Sequence, residues 1–120
     1  MTHILAVDDS PSMREMVALA LKSAGFNVTS AVDGEEALSA ARAQSFDLVL
    51  SDVNMPRMDG ISFIRALRAE TAYKHTPILM LTTEASPERK REGKAAGATG
   101  WIVKPFDPEQ LVATMQRVLR

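Results

Sequence analysis

The pattern that decides the fold is clearest near the start of the chain, in the stretch Ile4-Leu5-Ala6-Val7-Asp8-Asp9-Ser10-Pro11. A short apolar run is typical of a strand that is buried in a parallel sheet. Serine followed by proline is typical of a helix start, because the serine side chain caps free backbone N–H groups and proline fits the first helical position. Apolar residues at helical spacing follow, and they stop at Gly25. The stretch therefore predicts a buried strand and a helix, with two aspartates at the junction.

The same pattern occurs four more times along the chain. Apolar runs at 26–32, 48–50, 78–81 and 101–103 are each followed by a helical pattern. The second and third helices are predicted to begin after Asp33-Gly34 and Asp59-Gly60, the fourth near Ser86-Pro87, and the fifth at Asp107-Pro108. Five strand–helix units without a linker or repeat predict a single α/β domain over residues 1–120. Right-handed crossovers favour a doubly wound, five-stranded parallel sheet flanked by five helices, with the strand order 2-1-3-4-5.

The composition excludes several classes of protein. The 120 residues are 46% hydrophobic and 24% charged, an ordinary globular mixture. Cysteine is absent, so neither a disulfide framework nor a thiolate metal site is possible. The net charge of −1 provides no long-range attraction to nucleic acid, and the first apolar run is too short for a signal peptide or a membrane span. We expect a cytoplasmic protein that neither binds nucleic acid nor inserts into a membrane.

Charged and hydroxyl side chains stand directly behind four of the apolar runs. Asp8 and Asp9 follow the first run, while Asp52, Thr82 and Lys104 follow the third, fourth and fifth. Parallel strands end at one edge of their sheet, so these groups are expected to converge in a single crevice. Aspartate is common in turns, and one alone would mean little. The complete set indicates a functional site, because charged groups in a cleft raise the free energy of the fold.

The chemistry of this set indicates metal-assisted phosphoryl transfer. Three crowded carboxylates repel one another unless a cation neutralises them. Oxygen ligands without histidine or cysteine favour Mg²⁺, which prefers carboxylates together with phosphate oxygens. Lys104 and the hydroxyl of Thr82 are suited to bind phosphoryl oxygens. The set therefore predicts transfer of a phosphoryl group to a carboxylate.

Four motifs stand in order behind these runs. They are Val7-Asp8-Asp9-Ser10, then Asp52-Val53-Asn54-Met55-Pro56 with Met58-Asp59-Gly60, then Leu81-Thr82-Thr83, and finally Lys104-Pro105-Phe106. Each motif is weak alone, but together they are specific. The chain resembles the receiver domains of bacterial two-component response regulators, most closely the stand-alone chemotaxis type. The resemblance covers essentially all 120 residues and implies a flavodoxin-like fold. The strand order 2-1-3-4-5 is itself known for this family, so the expected order is not independent of the resemblance.

The resemblance implies a role for each residue of the crevice. Asp52 would accept the phosphoryl group from a sensor histidine kinase, and Lys104 would be the cation that binds that group. Asp8, Asp9, Asp52 and the backbone carbonyl of Asn54 would hold Mg²⁺ directly or through water. The protein would then catalyse only its own phosphorylation and dephosphorylation, and would not be an enzyme for other substrates.

The resemblance also implies a switch and a limited lifetime of the phosphoryl group. Thr82 would be the switch hydroxyl and Trp101 the switch aromatic, at a position that usually holds tyrosine, phenylalanine or histidine. We expect the indole to move from solvent into space that Thr82 vacates. Asn54 and Glu84 lie two residues beyond Asp52 and Thr82, and both are expected to flank the path of the hydrolytic water.

The signal is expected to leave through the fourth helix, fifth strand and fifth helix, where members of the family bind their targets. Arg89, Lys90, Lys94 and Trp101 are candidate contacts with a downstream protein. Gly93 lowers the helical preference of this segment by about 1 kcal/mol relative to alanine, as expected for a segment that moves. A weakly helical surface without a partner would explain the same residues. With no output domain expected after residue 120, the output would be a protein contact.

Three other functions are compatible with the pattern. A phosphatase or mutase with an aspartate nucleophile would place two aspartates one residue apart, whereas Asp8 and Asp9 are adjacent. A flavin-binding module would need a phosphate-binding loop where these two carboxylates stand. A degenerate receiver would bind partners without phosphorylation, and the complete acidic set argues against it.

Overall fold

Five strands and five helices alternate along the part of the chain that the structure describes, which is residues 2–53, 55, 58–83, 86–104 and 106–119 of a computed structural model. The strands are β1 (His3–Val7), β2 (Asn27–Ala31), β3 (Leu48–Asp52), β4 (Ile78–Thr82) and β5 (Gly100–Val103). The helices are α1 (Pro11–Ser23), α2 (Gly34–Ala43), α3 (Gly60–Ala69), α4 (Pro87–Ala96) and α5 (Pro108–Val118). A short 3-10 helix at Thr71–Tyr73 separates α3 from β4. The predicted alternation is confirmed in every unit.

The sheet has the strand order β2-β1-β3-β4-β5, and every neighbouring pair is parallel. This is the predicted order. The chain winds outward in one direction from β1 to β2 and in the other direction from β3 to β5. The reversal lies between β1 and β3, so a crevice forms beyond the carboxyl ends of these two central strands.

Each face of the sheet is covered by its own layer of helices. Leu5 and its neighbours on one face pack with α2, α3 and α4, whereas Ile4 and its neighbours on the other face pack with α1 and α5. Successive strand residues point to opposite faces, so a strand covered on both sides is apolar throughout. β3 and β4 are buried at every position. The edge strand β2 is mostly half-buried or exposed, and it is shorter than the run at 26–32 that predicted it.

The helices begin close to the predicted positions, although α2 and α3 already include the glycines that were expected to precede them. A side-chain oxygen accepts a hydrogen bond from a backbone N–H of the first turn in all five cases, at Ser10, Asp33, Asp59, Ser86 and Asp107. Such caps are local, which is why sequence alone locates them. The helices have 10 to 13 residues. Among the described residues, no helix has both the length and the apolar character needed to cross a bilayer.

The junction between β3 and α3 is tight. The N–H of Gly60 donates to the carbonyl oxygen of Val53 at 2.8 Å. A Cβ atom at Gly60 would overlap the carbonyl oxygen of Asp52 and lie 2.9 Å from the Cα of Val53. Only glycine permits this approach of two backbone segments, which holds the start of α3 against the end of β3.

Candidate functional site

Three carboxylates meet at the carboxyl ends of β1 and β3. One oxygen from each of Asp8, Asp9 and Asp52 lies within 4.8 Å of the others. The parallel register pairs Val7 with Ser51, so the residues that follow them stand side by side. Asp8 and Asp52 are buried, with 4% and 7% of their surface exposed, while Asp9 is exposed. The structure thus brings together the three aspartates that the sequence predicted.

Asp8 is held by neighbours on three sides. Its Oδ1 accepts from the N–H of Ser10 at 2.9 Å, and its Oδ2 accepts from the Nζ of Lys104 at 3.0 Å. Its own N–H donates to the carbonyl of Ala31 at the end of β2. These bonds fix the carboxylate in the crevice before any ligand arrives.

The negative charge of Asp52 is only partly compensated by its neighbours. Burial and the negative charge of Asp8 raise the pKa of Asp52 above its ordinary value, while Lys104 and the N–H of Val53 oppose the shift. The N–H of Val53 donates to Oδ1 at 2.8 Å, and the Nζ of Lys104 lies 3.3 Å from the same oxygen. The charged form of Asp52 is therefore disfavoured, and an added cation beside it would stabilise that form.

Lys104 connects two of the carboxylates. Its ammonium group contacts both Asp8 and Asp52, although the residue follows β5, two strands away from β3. Only 12% of its side-chain surface is exposed. A cation so placed reduces the repulsion between Asp8 and Asp52 and is within reach of any group bound to Asp52.

Thr82 ends β4 and is completely buried. Asp52 pairs with Leu81, so Thr82 stands one residue beyond the level of Asp52 on the next strand. Its carbonyl oxygen accepts from the backbone N–H of Lys104 at 2.8 Å. This bond connects Thr82 directly to Lys104, so the two residues predicted to bind the phosphoryl group are linked through their backbones.

Trp101 does not lie where the sequence placed it. We expected its ring in solvent, but the residue is half-buried and packs against the core between the sheet and α4. A Cβ atom at Gly93 would overlap the ring atom Cζ3. The reason is steric, because the missing side chain at Gly93 leaves room on α4 for the large indole. Gly93, interpreted from sequence as a weak helical position, is a packing position.

Two predicted residues lie outside the described part of the chain. Asn54, with its expected carbonyl ligand and its expected effect on hydrolysis, is one of them, and Glu84 is the other. Their assignments stay predictions.

Sequence reasoning missed Arg14 on α1. Its Nη1 donates to the carbonyl oxygen of Asp8 at 2.8 Å, which fastens the loop that carries the first carboxylate. One signal was present in the sequence: a cation close to a helix start opposes the helix dipole, which favours anions there. Such a residue therefore suggests a compensating contact nearby.

The donor set fits a hard divalent cation. Three carboxylates offer oxygen atoms at mutual distances that one ion can bridge, and neither histidine nor cysteine takes part in the cluster. Oxygen ligands of this kind suit Mg²⁺ better than zinc or copper. The exposed Asp9 leaves the cluster open to solvent on one side, so an ion that retains several waters is compatible with it.

This chain belongs to the response regulator receiver domain family, whose sequence pattern matches residues 4–116. It is therefore a receiver domain of two-component signalling. Chemotaxis protein CheY of Pseudomonas aeruginosa is 40% identical over 116 residues, which are 96% of this chain and 94% of that protein. The structure of chemotaxis protein CheY4 of Vibrio cholerae is 59% identical, with a TM-score of 0.96 and 98% of both chains covered.

Two other relatives carry the domain in different settings. The probable transcriptional regulatory protein TcrX of Mycobacterium tuberculosis is 39% identical over 117 residues, and this chain spans about half, 49%, of its length. The receiver domain of sensor histidine kinase PA1611 of Pseudomonas aeruginosa is 32% identical, with a TM-score of 0.92 and coverage of 98% of this chain and 97% of that one. The latter structure has a magnesium ion coordinated in its active site cleft.

Proposed function

We propose that this protein accepts a phosphoryl group on Asp52 from a sensor histidine kinase, with Mg²⁺ as cofactor, and passes the signal to a protein target in a chemotaxis pathway. The observation that carries the proposal is the buried carboxylate of Asp52, placed beside Asp8 and Asp9 and contacted by Lys104. The similarity to CheY proteins supports the pathway. The protein would catalyse its own phosphorylation and dephosphorylation only.

Asp52 is the nucleophile in this proposal. One of its carboxylate oxygens attacks the phosphorus of a phosphohistidine on the kinase, forming a P–O bond as the P–N bond breaks. The imidazole leaves with the electron pair of that bond. Negative charge on the transferred group faces the ammonium of Lys104, which lies 3.3 Å from Asp52 and needs little reorganisation.

Mg²⁺ would be held by Asp8, Asp9, Asp52 and the backbone carbonyl of Asn54. When bound, the ion would supply positive charge for the phosphoryl oxygens and cancel the repulsion among the carboxylates. Two observations support this assignment. The donors are oxygen atoms only, and a related receiver domain binds magnesium in its active site cleft.

The change of shape would begin at Lys104 and Thr82. Phosphoryl oxygens compete with Asp8 for the ammonium of Lys104, because charge-assisted hydrogen bonds to phosphate are strong. The hydroxyl of Thr82 would turn towards the same oxygens. Since the N–H of Lys104 donates to the carbonyl of Thr82, a shift at either residue reaches the ends of both β4 and β5.

The downstream protein would bind the face formed by α4, β5 and α5. Lys90 and Lys94 line a cleft of about 220 Å³ together with Trp101, and both lysines are exposed. Arg89 forms an ion pair with Glu92 at 3.0 Å on the same helix. Ammonium groups beside an aromatic ring favour an acidic segment of the partner.

Asn54 and Glu84 would control the lifetime of the phosphoryl group. Replacing Asn54 with leucine should slow hydrolysis, because a bulky apolar side chain would obstruct the attacking water. The decay of phosphorylated protein measures this effect. An unchanged rate for a series of substitutions at both positions would contradict the role.

Intact-protein mass spectrometry after incubation with Mg²⁺ and acetyl phosphate tests the proposed function. We expect one phosphoryl addition that depends on Mg²⁺ and disappears with EDTA. Continuous turnover of organic phosphates would instead indicate a phosphatase. Absence of any addition, with the fold intact by circular dichroism, would indicate a degenerate receiver and overturn the proposal.

A further inference from the structure

In the middle of α4, Gly93 lies directly against the indole of Trp101 on β5. A Cβ atom at Gly93 would overlap Cζ3 of the ring and lie 2.7 Å from Cη2. Gly93 is buried in the helix interior, where glycine is the least favourable residue after proline. Alanine at position 93 would favour the helix, but its methyl group would occupy the space of the indole. The ring of Trp101 therefore explains why this position holds glycine.

The end of α4 is fixed by a separate set of bonds. Arg68 of α3 donates from Nε and Nη2 to the carbonyl of Gly97 at 3.1 and 2.8 Å, and from Nη1 to the carbonyl of Tyr73 at 2.7 Å. Gly97 has a φ of 115°, the left-handed conformation of a helix C-cap. The carboxyl end of α4 is therefore held by α3, while the indole supports the helix four residues earlier.

Among the residues that the structure describes, steric fit and not hydrogen bonding holds the indole in place. Its Nε1 is inaccessible to solvent, and the described residues offer it no hydrogen-bond partner. A buried N–H without an acceptor raises the free energy of this arrangement. A ring position in which Nε1 meets water or a carbonyl oxygen would recover that free energy. The resting position therefore depends on the close fit at Gly93.

We propose that Gly93 is the positioning residue for Trp101, and that this contact holds α4 and β5 together in the resting protein. Trp101 pairs with Met80 in β4, two residues before Thr82, so the ring lies between a strand that ends at the site and the helix of the proposed partner surface. A movement of the indole away from Gly93 would free the middle of α4, with its carboxyl end still held by Arg68. The contact itself does not depend on phosphorylation, whereas its use in signalling rests on the proposed function.

A double-mutant cycle without Mg²⁺ or phosphoryl donor tests the contact. In a Trp101→Leu background, Gly93→Ala should increase the folding equilibrium constant about fivefold, the advantage of alanine in a helix interior. In the native background the same change should decrease it, because the new methyl group occupies the space of the ring. Urea unfolding followed by circular dichroism measures all four proteins. Arg91→Ala, at an exposed position of α4, is the matched control and should have the same effect in both backgrounds.

Fluorescence provides a second measurement, since Trp101 is the only tryptophan. Gly93→Ala should displace the ring from its resting position, so both its emission maximum and its quenching by iodide should change. Stabilisation by Gly93→Ala in both backgrounds, with unchanged emission, would overturn the proposal. If the single variant does not fold, recovery of folding in Gly93→Ala/Trp101→Leu supports the contact, and failure of both variants contradicts it.

The use in signalling has its own test. If activation moves the indole from Gly93, loss of the contact favours the activated form, and Gly93→Ala should bind beryllofluoride with Mg²⁺ at least about fivefold more tightly. Unchanged affinity for beryllofluoride would contradict the role of the contact in signalling. It would not affect the conclusion of the double-mutant cycle about the contact itself. No binding of beryllofluoride by the native protein would instead count against the proposed function.

Discussion

β3 and β4 are buried along their whole length, whereas β5 and the helix that covers it are only partly so. In β5 three residues are half-buried and Val103 is exposed. α3 buries five positions, while α4 buries only Gly93 and Ala96. The acidic cluster is thus attached to a fully buried part of the sheet, and the proposed partner surface to a less buried edge of it.

This difference shows how a small domain can combine a fixed site with a movable surface. Buried carboxylates repel one another, so the strands that carry them must be rigid to keep the carboxylates close together. A segment with few buried apolar contacts opens at a lower free energy than the core. The bonds from Arg68 and the contact between Gly93 and Trp101 then have a large share in holding α4.

Asp52→Asn should abolish phosphoryl acceptance. This is the largest effect that we expect, whether in the buried strands or in the region of α4 and β5. The amide keeps the shape of the side chain but is not a nucleophile. Mass spectrometry after incubation with Mg²⁺ and acetyl phosphate measures it. Asp59→Asn is the control, because Asp59 is the exposed cap of α3 and asparagine caps equally well. A base-labile phosphoryl group on the Asp52 variant would place the acceptor elsewhere.

Hydrogen exchange of the native protein should distinguish the buried strands from α4. Amides of β3 and β4 should exchange at least about tenfold more slowly than those in the middle of α4, because the strands open only with the core. Mass spectrometry of peptic fragments gives the rates. Equal protection of α4 and β4 would mean that the exposed helix is as tightly held as the core.

Gly60→Ala should destabilise the buried side by about 1–3 kcal/mol, the usual range for overpacking. The added Cβ would meet the backbone of Asp52 and Val53, which has no room to move. Gly93→Ala should cost less, because it meets the end of a side chain and gains helical preference. Urea unfolding of the two variants compares them, and the reverse ranking would contradict the proposed rigidity of the β3–α3 junction.

The stability of the metal-free protein should depend on the charge of Asp52. Its pKa is raised in the folded state above the ordinary 3.8, so the folded state binds more protons in the interval between the two values. Stability therefore falls as the pH rises through that interval, and the penalty is complete above it. Asp52→Asn should gain stability over the native protein as the pH rises towards neutrality, with no such gain below 3.8.

Urea midpoints from acid to neutral pH measure this difference between native protein and Asp52→Asn. Saturating Mg²⁺ should reverse it, since the cation stabilises the native carboxylate. A pH-independent difference would show that the charge of Asp52 is already compensated by Lys104.

The smallest expected effect is a change in the fluorescence of Trp101. Because the ring is already half-buried, Mg²⁺ with beryllofluoride should produce only a slight blue shift and slightly weaker quenching by iodide. Thr82→Ala should blunt the response while binding of beryllofluoride persists, and Thr82→Ser, which keeps the hydroxyl, should retain it. Constant emission with beryllofluoride bound would mean that the ring stays in place and that the signal leaves through α4 alone.

Much of the architecture follows from the sequence because its signals are local. A short apolar run predicts each strand, and a capping side chain predicts each helix start, followed by proline in three of the five helices. The convergence of Asp8, Asp9 and Asp52 also follows, since parallel strands must end at a common edge. The motifs then identify the family, and with it the expected role of each residue in the crevice.

The tertiary structure alone decided which of these groups touch and where Trp101 lies. Lys104 reaches Asp8 across 96 positions of the sequence because β5 ends level with β4, a matter of register that no local pattern encodes. From the sequence, Gly93 is only a position of low helical preference. Its role in packing against the indole is evident only in the tertiary structure. Arg14 likewise reveals its bond to Asp8 only once α1 is folded onto the sheet. The physical reason is the same in each case: local propensities depend on neighbours along the chain, whereas steric fit and charge pairing depend on neighbours in space.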